Sequence, residues 1–254
     1  MIHGYHLLPA WQDFPLADLP RRGLAVDSGR GGVCLLDHPK ATLVERPYRH
    51  GGLRRKLLPQ LFLKSERAAA EFNFHLRAFD GGVATVQPVG WREQKTVIPF
   101  ARHYFYYSVL LPEAVTLAQF LDRKGASRGT VQQMAAIVHR LYELSIYHHD
   151  LNLNNWLVAK QKIYLIDFDR ARQISWDAQT FLHTVLARIA RSGRKLGFLS
   201  LKRAFFRLTV IASKRFGLEA RKVIKRLPAS LANITSWDKL RWQLTGGHQK
   251  GAQM

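Results

Sequence analysis

Two short stretches carry the side chains best suited to chemistry: His148-His149-Asp150-Leu151-Asn152-Leu153-Asn154-Asn155, and then Leu165-Ile166-Asp167-Phe168-Asp169. Asp150 has the group needed to accept a proton from an attacking hydroxyl. Asn155 and Asp167 offer oxygen ligands of the kind that hold Mg²⁺ on nucleotide phosphates, where the ion keeps part of its water shell. Read together, the three describe phosphoryl transfer. An Asp and an Asn five residues apart, bent around a loop, can face one centre. Trp156–Val158 and Ile163–Ile166 read as short strands that carry the chain away and back, and the second delivers Asp167 to the same place. Taken singly, Asp150 and Asn155 read equally well as turn caps, a common use of both residue types. The ordered set is what points to chemistry.

That order follows the kinase pattern H-R-D-L-x-x-x-N followed by D-F-G, written here as H-H-D-L-N-L-N-N and D-F-D. The elements needed to position it can be traced upstream. Residues 1–22, with Pro9, Pro15 and Pro20, read as an irregular lead-in. Leu24–Val26 and Val33–Leu36 read as strands around a glycine turn, Gly29-Arg30-Gly31, which would let the backbone approach phosphate or simply close a hairpin. Ala41–Arg46 is the next strand, and Arg46 stands where kinases carry the lysine of their third strand. Lys64–Phe79 reads as a helix containing Glu71. Arg46 and Glu71 could form the ion pair that positions ATP phosphates, with Glu66 as a competing partner and plain surface charges as the other reading. Val83–Val89 and His103–Leu111 are further strand candidates, and Pro112-Glu113-Ala114 marks a crossing. Val131–Ile146 is the clearest helix. The expected fold is α+β and protein-kinase-like with two lobes: a small antiparallel sheet with one main helix over 23–112, and a mostly helical part over 113–254.

The chain has 254 residues, enough for such a domain. One cysteine, Cys34, excludes an internal disulfide and fits a reducing compartment. No signal-peptide pattern opens the sequence and no apolar run has the roughly 20 residues of a membrane span. The expected location is therefore the cytosol or a membrane surface. The net charge of +21 and pI near 10.6 call for a polyanionic partner, either nucleic acid or anionic lipid. After Arg170 the only acids are Asp177, Glu219 and Asp238. Phe198, Leu201, Phe205, Leu208 and Ala212 form an apolar stripe, with Lys195, Lys202, Arg203, Arg207 and Lys214 mostly opposite. Such a helix packs its stripe on a core, and its basic face can also meet a membrane.

A narrower likeness rests on Val44 through Leu53, Ala70-Glu71-Phe72, the loop His149-Asp150-Leu151-Asn152 with Asn155, and Leu165 through Asp169. These segments resemble the 3-deoxy-D-manno-octulosonic acid (Kdo) kinases of the lipopolysaccharide kinase family. The resemblance implies transfer of the γ-phosphate of ATP to the 4-hydroxyl of a Kdo sugar on a lipid A precursor, at the cytoplasmic face of the bacterial inner membrane. It implies Asp150 as catalytic base, Asn155 and Asp167 as Mg²⁺ ligands, and Arg46 with Glu71 as the phosphate-positioning pair. The Gly29-Arg30-Gly31 turn would cover the nucleotide. Arg49, Arg54, Arg55 and Asn152 are candidates for contact with the anionic acceptor.

The departures from protein kinases are informative. Arg46 keeps the positive charge but is larger and fork-shaped. Asn152 takes the place of the lysine found two residues after the catalytic Asp in serine/threonine kinases, which argues against a protein acceptor. Asp169 replaces the glycine of D-F-G and reads as a local hydrogen-bonding group in preference to an extra metal ligand. A heptose or small-alcohol kinase of the same fold is the nearest rival. A nucleic-acid-binding protein is the rival of another class, and it lacks a zinc pattern, an RNA-recognition signature or an evident stacking array. A pseudokinase scaffold is disfavoured because Asp150, Asn155 and Asp167 are all present.

Overall fold

The computed structural model describes residues 3–13, 15–24, 32–49, 62, 65–98, 100–195 and 201–227. The expected Gly29-Arg30-Gly31 turn, the basic residues Arg54, Arg55 and Lys56, and the tail beyond Leu227 lie outside the described residues. The chain divides into two compact units. One comprises Met1–Ala114, His148–Asp150 and Tyr164–Gln173; the other comprises Val115–Tyr147, Leu151–Ile163 and Ile174–Met254.

The first unit is built on an antiparallel sheet of β1 (His3–Leu7), β2 (Arg21–Leu24), β3 (Val33–His38), β4 (Ala41–Pro47), β5 (Pro88–Lys95) and β6 (Arg102–Val109). Their order across the sheet is β1-β5-β6-β4-β3-β2. Side chains alternate between its two faces. On β6, Tyr104 and Tyr106 join the cluster of Tyr48, Phe62, Ala68 and Trp91, which includes residues of helix α1 (Glu66–Asp80). Tyr107, one residue beyond Tyr106 and so out of phase with it, packs on the opposite face with Leu36, Leu43 and Val89. The same alternation on β4 puts Leu43 on that opposite face. Arg46, two residues before Tyr48, falls on the α1 side.

Helix α1 buries Ala68, Glu71, His75 and Ala78, a stripe at helical spacing. Two of these four are polar, so their desolvation has to be offset by partners inside the fold.

The irregular lead-in expected for residues 1–22 is corrected. β1 pairs with β5 from His3↔Gln94 to Leu7↔Gly90, and a 3₁₀ turn at Pro9–Trp11 follows it. Trp11 and Leu16 are buried against Leu36, Leu43, Val89 and Tyr107. The prolines punctuate a covering layer that shields one face of the sheet from water. Its closeness is visible at Gly90, where an added Cβ would lie 2.3 Å from the His6 carbonyl oxygen and 2.8 Å from the Leu7 Cα. Gly90→Ala is therefore expected to push β1 off β5 and lower stability by about 2 kcal/mol. The midpoint of urea unfolding measures this; an unchanged midpoint contradicts the packing.

The strand expected at Val83–Val89 is shifted. Residues before Pro88 make only an isolated parallel bridge, Thr85↔Leu165, and β5 continues to Lys95 through the polar run Arg92-Glu93-Gln94. Arg92 is buried because its guanidinium lies 3.5 Å from Glu45 and 4.2 Å from the centre of the Phe105 ring.

The second unit opens with β7 (Val115–Thr116), which pairs antiparallel with β9 (Trp156–Ala159). Between them lie α2 (Leu117–Lys124), α3 (Arg128–Glu143) and β8 (Ile146–Tyr147). Thr116 and Gln119 close a capping box at the start of α2. Ser127 caps α3, accepting from the Thr130 amide at 3.0 Å, so this helix begins earlier than Val131 and ends at Glu143. β10 (Lys162–Leu165) starts in this unit and carries the chain into the first, which also holds β11 (Arg172–Gln173). The Gln133 side chain on α3 donates to the Gln161 carbonyl at 3.0 Å and accepts from the Ile163 amide at 2.9 Å, fixing the β9–β10 turn. Helices α4 (Ala178–Lys195), α5 (Leu201–Arg215) and α6 (Ala220–Arg226) complete the unit. On α5, Phe205, Leu208 and Ala212 are buried, while Arg203, Arg207 and Lys214 are exposed. These three apolar residues of the stripe pack inward and these three charges are solvated. No described helix is long and apolar enough to cross a membrane.

Candidate functional site

One set of charged side chains in the first unit meets between the end of β4 and α1. Arg46 donates a hydrogen bond to Glu71 Oε1, and the Tyr48 hydroxyl donates to Glu71 Oε2, so both carboxylate oxygens are engaged. The partner of Arg46 is Glu71, not the competing Glu66. The same Arg46 nitrogen lies 3.5 Å from Asp167 Oδ1. Its guanidinium carbon also lies 5.2 Å from the Tyr48 ring centre and 5.6 Å from that of Tyr106. Burial opposes the charge on Arg46, yet Glu71 and Asp167 outweigh it and hold its pKa well above the usual value. Burial pushes Glu71 up to about 7 even though Arg46 and Tyr48 pull it down.

Asp167 reaches this cluster through a pinned strand end. The Leu165 amide donates to the Ala84 carbonyl at 2.9 Å and the Thr85 hydroxyl donates to the Leu165 carbonyl at 2.5 Å. Asp167 itself has φ +66°, a left-handed conformation that non-glycine residues rarely adopt and that concentrates at functional sites. Its Oδ1 is buried without a hydrogen-bond partner. Asp169 makes hydrogen bonds, but to a partner 102 residues away and not to a local group: Arg67 Nε donates to its Oδ1 at 2.8 Å and Arg67 Nη2 to its Oδ2. Burial would raise the Asp169 pKa, but the Arg67 fork overrides it and holds the carboxyl below its ordinary range.

Two histidines brace the same region. The single hydroxyl proton of Thr85 goes to the Leu165 carbonyl, so toward His75 Nε2, at 2.8 Å, that hydroxyl accepts. His75 thus carries its proton on Nε2, and Nδ1 accepts from the Tyr106 hydroxyl at 2.6 Å. Burial lowers its pKa to about 3, which keeps the ring neutral. His75 stacks on Phe168 at 4.7 Å between ring centres, and His148 meets the edge of Phe168 at 5.0 Å. His148 Nε2 donates to the Ile166 carbonyl at 3.1 Å, leaving Nδ1 as a buried acceptor without a partner. Burial lowers the His148 pKa, against the pull of the Asp167 and Asp150 carboxylates. Both acids therefore act on one ring.

Among the expected site residues, Arg46, Glu71 and Asp167 meet directly, and Asp150 belongs to the same unit. Asn155 lies in the other unit, at the end of the 3₁₀ turn Leu153–Asn155. Asn152 is the cap of that turn: its Oδ1 accepts from the amides of Asn154 at 2.9 Å and Asn155 at 3.2 Å. Arg49, an expected acceptor contact, has a buried Nε without a hydrogen-bond partner. Gly29, Arg30, Gly31, Arg54 and Arg55 lie outside the described residues. Among the described residues no three His, Cys, Asp or Glu side chains cluster as a metal cage. Asp167 Oδ1, which has the Arg46 ion-pair contact but no hydrogen bond, nevertheless suits a hard cation such as Mg²⁺, which takes few protein oxygens and completes its shell with phosphate and water.

Tyr48, Arg67 and His75 have roles that the sequence reading did not assign. A signal for two of them existed. Arg67, Glu71 and His75 recur every four residues, one polar line along a helix whose other spacing demands burial.

The sequence pattern of the lipopolysaccharide kinase (Kdo/WaaP) family matches residues 20–204. A 3-deoxy-D-manno-octulosonic acid kinase of Vibrio parahaemolyticus is 30% identical over 66% of this chain and 71% of its own length. Those of Vibrio vulnificus and Haemophilus influenzae are 28% and 30% identical, over 56% and 59% of this chain and 62% and 65% of their own lengths. The chain thus spans between about three-fifths and seven-tenths of these relatives. A solved structure of WaaP in complex with acyl carrier protein shares the fold, with a TM-score of 0.56 at 16% identity over 92% of this chain and 94% of that one. With its family pattern matched over most of its length, this chain is a phosphotransferase that acts on a sugar hydroxyl, and it belongs to the lipopolysaccharide kinase (Kdo/WaaP) family.

Proposed function

We propose that this protein transfers the γ-phosphate of ATP to the 4-hydroxyl of a Kdo residue on a lipid A precursor. The reaction takes place at the cytoplasmic face of the inner membrane, in a two-lobed, protein-kinase-like enzyme. The observation that carries this reading is Arg46 held between Glu71 and Asp167. A cation fixed by two carboxylates, one of them fully buried, is preorganised for anionic phosphate and needs no rearrangement when charge shifts during transfer. The names of the curated relatives support Kdo as the acceptor.

In this mechanism Asp150 takes the proton from the attacking sugar hydroxyl. Asn155 and Asp167 are the residues that would hold Mg²⁺, and the cation neutralises phosphate charge when bound. Arg46 orients the phosphates, while Glu71 and Tyr48 hold Arg46. Arg49, with its spare buried donor, and Arg54 and Arg55 near it in sequence, meet the carboxylate and phosphate groups of the acceptor. The turn at Asn152 sets the position of Asn155.

The test is transfer from labelled ATP to Kdo–lipid A, with mass spectrometry of the product. A single added phosphate on the Kdo 4-hydroxyl supports the reading. Labelling of a heptose-bearing acceptor with no labelling of Kdo–lipid A moves the enzyme to the other branch of the family.

A further inference from the structure

The turn between β5 and β6 shows water a set of side chains that water disfavours. Val97 is 99% exposed, Phe100 80% and Ile98 47%, the highest values for large apolar residues among those described. Two residues of the backbone beneath them, Ile98 and Ala101, are bonded within the turn. The Thr96 hydroxyl accepts from the Ile98 amide at 3.2 Å and lies 3.1 and 3.2 Å from the carbonyl oxygens of Ile98 and Ala101. The Ala101 amide donates to the Ile98 carbonyl at 3.2 Å. Phe100 holds φ +66°, an unfavourable conformation for a bulky residue, so this turn is not the relaxed one its sequence would choose.

The base of the tip is cationic. Lys95 and Arg102 face each other as register partners where the strands meet the turn. Like charges directly opposite on neighbouring strands repel, and an anionic surface turns that repulsion into attraction. The tip carries three exposed apolar side chains, and the backbone groups of Ile98 and Ala101 at its base are paired within the turn. Backbone entering hydrocarbon must have its hydrogen bonds made internally, and cations beside such a tip lie at the depth of lipid phosphates.

We infer that the Val97, Ile98 and Phe100 tip docks into the apolar boundary of an anionic bilayer, with Lys95 and Arg102 at its headgroups. The inference rests on the glycolipid-kinase reading for the source of that bilayer. It gives the enzyme a fixed point of attachment on the membrane that carries its acceptor.

Flotation of the full chain with vesicles of phosphatidylethanolamine and phosphatidylglycerol, beside vesicles of phosphatidylcholine alone, tests it. The double variant Val97→Ser with Phe100→Ser is expected to bind the anionic vesicles about tenfold more weakly, since part of two apolar side chains no longer leaves water. Lys95→Glu with Arg102→Glu should lose the preference for anionic over neutral vesicles. In Phe100→Trp, brominated lipids should quench emission beyond the quenching seen in the wild type. Turnover on a short-chain, water-soluble Kdo acceptor should match the wild type in the serine variant. Equal vesicle binding by the serine variant and the wild type overturns the inference, whatever the enzyme phosphorylates. Tip-dependent binding with no phosphorylation of Kdo or heptose acceptors leaves the inference standing and removes the glycolipid-kinase reading.

Discussion

Asp150→Asn is expected to lower kcat for Kdo–lipid A by about 10³-fold, the scale of a lost general base. The change is isosteric and its surroundings are firmly held. His148, two residues upstream, is fully buried, donates to the Ile166 carbonyl and packs on Phe168. The unfolding midpoint should therefore stay close to wild type. The proposed mechanism assigns the ATP phosphates to Arg46, held by Glu71, and not to Asp150, so the KM for ATP should change little. Because the lost interaction forms only as the hydroxyl is deprotonated, kcat and kcat/KM for the acceptor should fall together. Steady-state kinetics with both substrates varied measures each of these. Wild-type turnover in Asp150→Asn would falsify its role as base; a selective rise in the KM for ATP would make it part of nucleotide binding instead.

Much of this arrangement could be read before the structure, and the reasons are local. Arg46 on the strand and Glu71 on the following helix stand in kinase-like order, so their pairing could be expected from sequence alone. Asp169 could be expected to act through hydrogen bonds, but its partner Arg67, 102 residues away, could not be named. The failures share a cause: each depends on partners far away in the chain. β1 has only five residues, and what makes it a strand is β5, more than 80 residues later. The run Arg92-Glu93-Gln94-Lys95 lacks the apolar content of a strand. It is held because β1 and β6 flank it and Glu45 compensates the buried Arg92. Nothing in the neighbours of Tyr48 says that its hydroxyl meets Glu71. The tautomer of His75 follows only from Thr85 and Leu165, which lie 10 and 90 residues away.

Glu71 links activity and stability to pH in opposite directions. Burial raises its pKa to about 7, with the nearby Asp167 adding to the shift and Arg46 and Tyr48 limiting it. Only the ionised carboxylate fixes the Arg46 guanidinium, so kcat/KM for ATP should rise with pH through about 7 and level off above it. Glu71→Gln should remove that limb and lower the plateau by about 10²-fold, the cost of a misplaced positioning group. Stability runs the other way. A folded pKa above the unfolded value of 4.5 means that the native state holds an extra proton between 4.5 and about 7. The stabilising contribution is complete below 4.5 and is lost as pH rises through about 7, at a slope of up to about 1.4 kcal/mol per pH unit. His75 has the opposite sign. Its pKa falls from 6.5 to about 3, so its contribution is complete above 6.5 and is lost as pH falls toward 3. Between 4.5 and 6.5 the two slopes oppose each other, and the wild type should show a flattened stability profile. In Glu71→Gln only the His75 slope remains, so the variant's stability should climb with pH across the same window. Urea unfolding at half-unit pH steps, paired with ATP kinetics, measures both effects. A limb near pH 7 that persists in Glu71→Gln assigns the titration to another group and separates Glu71 from the positioning of Arg46.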